Sequence, residues 1–293
     1  MALRAYLELV RLPAVFTAPA DVLAGSALAL GAGASEQPLR LGALVLASAA
    51  MYCAGMAAND IFDLATDRRE RPGRPLPSGR LSLQAAWTLV LTLQGVALGL
   101  AAWVGMTALV AVAGTIGATY LYDAVLKDHW SGPLAMGICR YGNALVGAAL
   151  LPAGQWTAHV WGLPAGTAAY VVALTFLSRR EVDGATRGQI AAPLAGLVAL
   201  SALPALWPAL GWLPELWAAG LVTLPLLWLA GPVRRAWDNP GAGPVRGAVM
   251  AGIFGIAMVN AALAAAAGGW WQAAVAVALL VPGRAVGRWF YAT

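Results

Sequence analysis

Long apolar runs separated by short polar breaks dominate the chain from residue 14 onward. Divided at Pro, Gly and charge clusters, they fall near 14–33, 41–62, 83–102, 104–122, 133–152, 158–177, 190–208, 213–232, 247–268 and 270–283. Stretches such as 41–58 and 247–267 carry no charge at all, which a helix with one wet face does not sustain. The pattern predicts an all-α polytopic membrane protein with nine or ten transmembrane helices, the last run being a span or a re-entrant piece. The first eleven residues read differently. Arg4, Glu8 and Arg11 share one side and Leu3, Leu7 and Val10 another, as in an amphipathic segment lying along the bilayer surface rather than a cleaved signal.

Composition agrees, at 60% hydrophobic and 11% charged over 293 residues. The connecting loops alternate between basic and nearly chargeless. Arg40 falls on the sparse side, Arg140 falls within a span, and every other Lys and Arg falls on the opposite side. The positive-inside rule makes that basic side cytoplasmic, with both termini inside if there are ten crossings, as in a bacterial-type inner membrane. Trp103, Trp156, Trp212, Trp270 and Trp271 mark the far interface. The net charge of +5 is therefore a matter of topology and calls for no nucleic-acid partner. Cys53 and Cys139 lie inside spans with no metal-ligand neighbour at useful spacing, and His129 and His159 are far apart, so neither residue type suggests a metal site.

The strongest chemical signal is N-D-I-F-D-L-A-T-D at 59–67, at the cytoplasmic end of the second run. Asp60, Asp63 and Asp67 are spaced i, i+3 and i+7 and would share one helix face, with Asn59 a turn before Asp63. Clustered carboxylates at a membrane helix end repel one another and lose hydration, so a cation is expected to offset them. Mg²⁺ suits oxygen ligands and keeps positions for substrate phosphates. The following R-R-E-R-P-G-R-P-L-P-S-G-R supplies Arg68, Arg69, Arg71, Arg74 and Arg80 for a diphosphate, on a loop stiffened by Pro72, Pro75 and Pro77. Against this stands the plainer reading that the loop is basic only because it is cytoplasmic.

These residues resemble the UbiA superfamily of intramembrane prenyltransferases. The resemblance rests on N-D-x-x-D-x-x-x-D, read as Asn59, Asp60, Asp63 and Asp67, followed by R-P-L-x-S-G through Arg74 to Gly79. Similar pieces are R-L-P-A-V-F-T-A-P-A-D-V-L-A-G at 11–25, Y-L-Y-D-A-V-L-K at 120–127 and R-Y-G-N at 140–143. It covers most of the first 190 residues. It implies a single domain over 1–293, with helices around a central cavity open to the cytoplasmic side and active-site loops at 63–82 and 178–189. The implied activity is Mg²⁺-dependent transfer of a prenyl group from a polyprenyl diphosphate to an unidentified acceptor, releasing diphosphate. Asp60 and Asp63 would be the first Mg²⁺ ligands and Asp67 a further ligand or a neighbour of one. Asn59, Arg68, Arg74, Lys127, Arg140, Asn143, Arg179 and Arg180 would hold the diphosphate, and Asp123 or Asp128 would take the acceptor's proton.

One stretch departs from the family pattern. A second motif, D-x-x-D-x-x-G-D, is expected after the sixth span, where this chain has S-R-R-E-V-D-G-A at 178–185. Glu181 and Asp183 then remain as ligands of a weaker second metal site, with Arg179 and Arg180 replacing charge. This variant resembles the EboC-like branch of the superfamily. Two other classes compete with the enzyme: a protein that binds or transports a lipid diphosphate without breaking a bond, and a membrane scaffold whose second site has decayed. A redox enzyme or proton pump fits poorly, because the acids gather at one face and no haem, flavin or iron–sulfur ligand set is visible.

Overall fold

The computed structural model describes residues 2–181, 184–191, 195 and 217–289, and among these the regular structure is entirely helical. Six stretches are long and apolar enough to cross a bilayer: Leu12–Glu36, Pro38–Phe62, Leu83–Val104, Met106–Leu126, Ala158–Ser178 and Ala242–Ala266. The helices used below are α1 (Ala2–Leu9), α2 (Leu12–Val15), α3 (Thr17–Leu30), α4 (Pro38–Phe62), α5 (Leu64–Glu70), α6 (Leu83–Val104) and α7 (Met106–Leu121). They continue as α8 (Gly132–Ala148), α9 (Ala158–Gly162), α10 (Pro164–Ser178), α11 (Trp217–Asp238), α12 (Ala242–Ala266), α13 (Trp270–Ala278) and α14 (Leu280–Val286). The run expected at 190–208, apart from residues 190, 191 and 195, and the position of Asp183 lie outside the described residues.

Local chemistry sets several ends. Pro38 opens α4 where a missing N–H costs nothing, and α6 begins at Ser82, whose hydroxyl accepts from the Ala85 N–H at 3.1 Å. Gly105, at φ 149°, turns the chain from α6 into α7. Arg40, the lone basic residue of the sparse side, donates to the Val104 carbonyl at 2.7 Å and so satisfies the C-terminal end of α6.

The helices approach closely through small residues. A Cβ on Gly25 would lie 1.8 Å from the Ala144 carbonyl oxygen, and one on Gly147 would lie 2.0 Å from that of Val22. Backbones of α3 and α8 therefore touch directly, as membrane helices do where small residues face each other. Around this crossing sit one apolar core with α4, α6 and α7 and another with α10, α11 and α12.

The N-terminal segment docks on the bundle, with Ala5 and Leu9 of α1 buried against Ala54, Ala57, Leu76 and Leu81. Of the 3/7/10 stripe, Val10 is buried and Leu3 stays 72% exposed. The run expected at 270–283 forms two short helices that meet at Leu279, with Val281 and Trp270 exposed.

Candidate active site

The acidic motif occupies a break in the helix. Helix α4 ends at Phe62, Asp63 sits at the junction with φ −81° and ψ −2°, and α5 carries Asp67. Asp60 and Asp67 are buried, and both accept from the same nitrogen: Arg74 Nη1 lies 3.2 Å from Asp60 Oδ1 and 2.6 Å from Asp67 Oδ2. Arg71 approaches the other Asp67 oxygen at 3.8 Å. Arg11 donates to Asp60 Oδ1 at 3.1 Å and to Asn59 Oδ1 at 3.4 Å. It does so from a left-handed backbone conformation, φ 50°, unusual for a side-chain-bearing residue and strained by about 1 kcal/mol or more.

The opposite wall comes from the end of α7, where the chain winds as a π-helix over Tyr122–Leu126. That turn brings Asp123 and Lys127 to the site. Asn59 Nδ2 donates to Asp123 Oδ1 at 2.7 Å, and Lys127 donates to Asp63. Four carboxylates thus meet four cations before any ligand arrives.

The cluster forms the mouth of a chamber of about 340 Å³. Arg11, Asn59, Asp63, Arg71, Arg74, Asp123, Lys127 and Glu181 line the mouth. Met56, Met136, Leu174, Val249 and Ile253 line the walls, and Ser48, Tyr52, Arg140 and Asn143 lie deeper. A second hollow of about 500 Å³ on the surface shares Arg11, Arg71, Arg74 and Glu181 with the first, and Asp60 opens onto it. Arg80 does not reach the chamber; it binds Glu8 at 2.6 Å and the Gly73 carbonyl at 2.8 Å, folding the basic loop onto α1.

Three of the arginines expected to hold the diphosphate point away from the chamber. Arg68 is exposed on α5 and lines neither hollow. Arg179 donates to the carbonyls of Lys127 at 2.8 Å and His129 at 2.6 Å, so it ties down the 127–132 turn instead of facing the chamber. Arg180 is exposed beyond the end of α10. Of the two acids considered for the acceptor's proton, Asp123 lines the chamber and Asp128 is exposed. Arg140 and Asn143 line the chamber below the mouth, bonded to Asp21. Sequence reasoning passed over Arg11, whose signal was an arginine directly before Leu-Pro at the entry to the first span, and Asp21, a lone acid in an apolar stretch.

The donors suit Mg²⁺ in one specific way. Among the described residues no three acidic, His or Cys side chains already converge as a metal cage. Asp60, Asp63 and Asp67 nevertheless offer hard carboxylate oxygens beside cations able to hold phosphate, and Mg²⁺ bound jointly with a diphosphate needs only one or two carboxylates.

A family model described as the UbiA prenyltransferase family matches residues 21–244. The chain belongs to the UbiA prenyltransferase family. Its curated UbiA-type relatives include a digeranylgeranylglyceryl phosphate synthase of Ignicoccus hospitalis, 35% identical over 54% of this chain and 50% of that protein. Another is the synthase of the same description from Sulfurisphaera tokodaii, 29% identical over 53% of this chain and 56% of that one. The chain spans about half the length of the curated relatives it matches. The UbiA fold is shared with an apo UbiA homolog from Aeropyrum pernix, at TM-score 0.66, 22% identity, 85% of this chain and 96% of that one. A UbiA homolog from Archaeoglobus fulgidus bound to GPP and Mg²⁺ matches at TM-score 0.61, 16% identity, 94% of this chain and 99% of that one. Six apolar helices and this family together make the chain an integral membrane protein.

Proposed function

We propose that the chain transfers a prenyl group from a prenyl diphosphate to an acceptor, releasing diphosphate, with Mg²⁺ as cofactor. The observation that carries this is the joining of an ionic mouth to an apolar chamber, with carboxylates and cations packed at one end. The names of the relatives, prenyl-transferring synthases and a homolog bound to GPP and Mg²⁺, support the same reading. The remaining parts of the reading are nine or ten helices, the chamber open to the cytoplasm, a single domain over 1–293 and active-site loops at 63–82 and 178–189. The S-R-R-E-V variant keeps the resemblance to the EboC-like branch as part of this reading.

In this scheme Arg71, Arg74, Lys127 and Arg11 grip the diphosphate, exchanging their carboxylate partners for phosphate oxygens. Asp60 and Asp63, with Asp67 or Asn59, hold the metal, and Glu181 stands beside the mouth as a candidate for a second ion. Mg²⁺, when bound, withdraws charge from the departing diphosphate. The allylic carbon–oxygen bond breaks with its electron pair leaving on diphosphate, the acceptor's nucleophilic atom bonds to that carbon, and Asp123 takes the acceptor's proton. Cations fixed before reaction favour the charge that develops on the leaving group. The walls exclude water from the allylic cation, and the prenyl tail gains about 0.8 kcal/mol per buried CH₂.

The test supplies purified protein with Mg²⁺, prenyl diphosphates of several lengths and a panel of acceptors (phenolic acids, alcohols and phosphate-bearing glycerols), and follows donor binding and diphosphate release. Binding and release that vanish in Asp60→Ala are the expected result. Binding with no release under any condition would replace transfer by carriage of a lipid diphosphate, and no binding by a folded preparation would refute both.

A further inference from the structure

Below the apolar walls lies a polar hub that the donor chemistry does not use. Asp21, fully buried on α3, accepts from Arg140 Nη1 at 3.0 Å and Asn143 Nδ2 at 2.8 Å through one oxygen. Its other oxygen accepts from Asn260 Nδ2 at 2.5 Å. Thr167 donates to Asn260, Ser48 donates to Asn143, and Thr17 accepts from Arg140 Nη2 at 3.2 Å. Five helices, α3, α4, α8, α10 and α12, therefore meet at one carboxylate.

A buried ion pair is a poor way to stabilise a bundle, since apolar residues of similar volume do as well or better, and within a membrane it costs more still. The hub is also asymmetric. Asp21 is sealed from the chamber, whereas Arg140, Asn143, Ser48 and Tyr52 line it, the guanidinium lying 5.6 Å from the centre of the Tyr52 ring. Ser48 and Asn143 spend their donors within the hub, so what the chamber meets at its floor is the Arg140 guanidinium, its counter-charge hidden behind. Tyr52, over which the guanidinium lies, precedes Asn59 and Asp63 of the mouth by seven and eleven residues, about 10 and 16 Å along α4 at 1.5 Å per residue.

We propose that this floor is the subsite for an anionic oxygen group on the acceptor, and that Asp21 is the positioning residue that aims Arg140 into it. The proposal rests on the prenyl-transfer reading. With the diphosphate at the mouth and the allylic carbon against the apolar walls, a nucleophile approaching from below has its polar end at Arg140. A carboxylate or a phosphate monoester supplies acceptor oxygens for the guanidinium N–H groups that Asp21 and Thr17 leave unused, whereas both Asn143 hydrogens are already given to Asp21 and the Ala18 carbonyl. Asn260 and Asn143 over-determine the Asp21 rotamer, and that holds the guanidinium still.

The test compares wild type, Asp21→Asn and the charge-balanced double variant Asp21→Asn/Arg140→Gln, each first shown to unfold cooperatively. Calorimetry then measures benzoate, glycerol phosphate and, with Mg²⁺, geranyl diphosphate. Wild type binds benzoate or glycerol phosphate, the preferred probe distinguishing carboxylate from phosphate. Both variants bind that probe about tenfold or more weakly, while geranyl diphosphate affinity stays within about threefold. A double variant that is folded and binds the probe as wild type does would reduce the hub to a structural role and overturn the proposal. So would wild type that binds geranyl diphosphate and neither probe. Loss of geranyl diphosphate binding in wild type would instead count against prenyl transfer itself.

Discussion

Arg74 holds two buried carboxylates with one nitrogen, so replacing it exposes how the site manages its charge. In Arg74→Gln, Asp60 keeps Arg11 at 3.1 Å, but Asp67 keeps only Arg71 at 3.8 Å. Removing one partner of a buried pair costs about 3–5 kcal/mol. Because each carboxylate retains a neighbour, the expected loss is at the low end, about 3 kcal/mol, or about 6 °C in melting temperature for a chain of this size. A divalent cation is the natural substitute for the missing guanidinium. Added Mg²⁺ should therefore raise the melting temperature of Arg74→Gln more than that of wild type, where the arginine competes for the same oxygens. The assay is thermal unfolding in detergent with and without millimolar MgCl₂, with Ca²⁺ and monovalent salt as controls for screening. A variant as stable as wild type would refute the pairing, and a destabilised variant indifferent to Mg²⁺ would refute these carboxylates as metal ligands.

Three further outcomes follow from the geometry. Asp63→Asn and Lys127→Gln should each lower the rate of diphosphate release by about 10²–10³, the usual size for removing one preorganised charged contact at the reacting end, with Lys127→Arg recovering part; unchanged release would remove the pair from the site. Gly147→Val forces a side chain into the Val22 carbonyl across the α3–α8 crossing, and a loss of about 3 kcal/mol or failure to accumulate is expected, read by thermal unfolding against the spacious Gly99→Val. Burial alone would push the Glu8 carboxyl up, yet hydrogen bonds and charge from Arg80 and Arg4 outweigh it and hold it below the ordinary range. A depressed carboxylate stabilises above its unfolded value, so the melting-temperature gap between wild type and Glu8→Gln should be open near neutral pH. It should close as pH falls through the carboxylate range, and a gap that widens there would contradict the assignment.

Much of the helical framework was legible because bilayer hydrocarbon imposes one requirement, apolar length, that hydropathy reads directly. Helix ends were less so. Ala242–Ala266 begins five residues before the apolar run expected at 247, since Arg246 continues the helix into the polar region and backbone hydrogen bonds do not stop where apolarity does. The break at Leu279 has a local cause within the run at 270–283, since Pro282 lacks the N–H that would bond the Ala278 carbonyl and its ring crowds that oxygen.

At the site, residue types were legible and partners were not. The spacing of Asp60, Asp63 and Asp67 announced a cation-dependent cluster, but a single helical face was the wrong picture, because Asp63 ends one helix and Asp67 belongs to the next. Lys127 and Asp123 reach the motif across 64 residues and Arg11 across 49, distances over which no local period carries information. Arg179 shows the converse: it stands next to a recognisable motif, yet α10 ends at Ser178 and the chain then turns its guanidinium onto backbone carbonyls. Asp21 is the extreme case, bonded to residues 119, 122 and 239 positions away while its own neighbours are Ala, Pro and Val. A lone acid in an apolar helix has no pattern to betray its partners, but its desolvation cost requires that they exist. That requirement was available from the sequence, while the identity of the partners, Arg140, Asn143 and Asn260, came only with the placed helices.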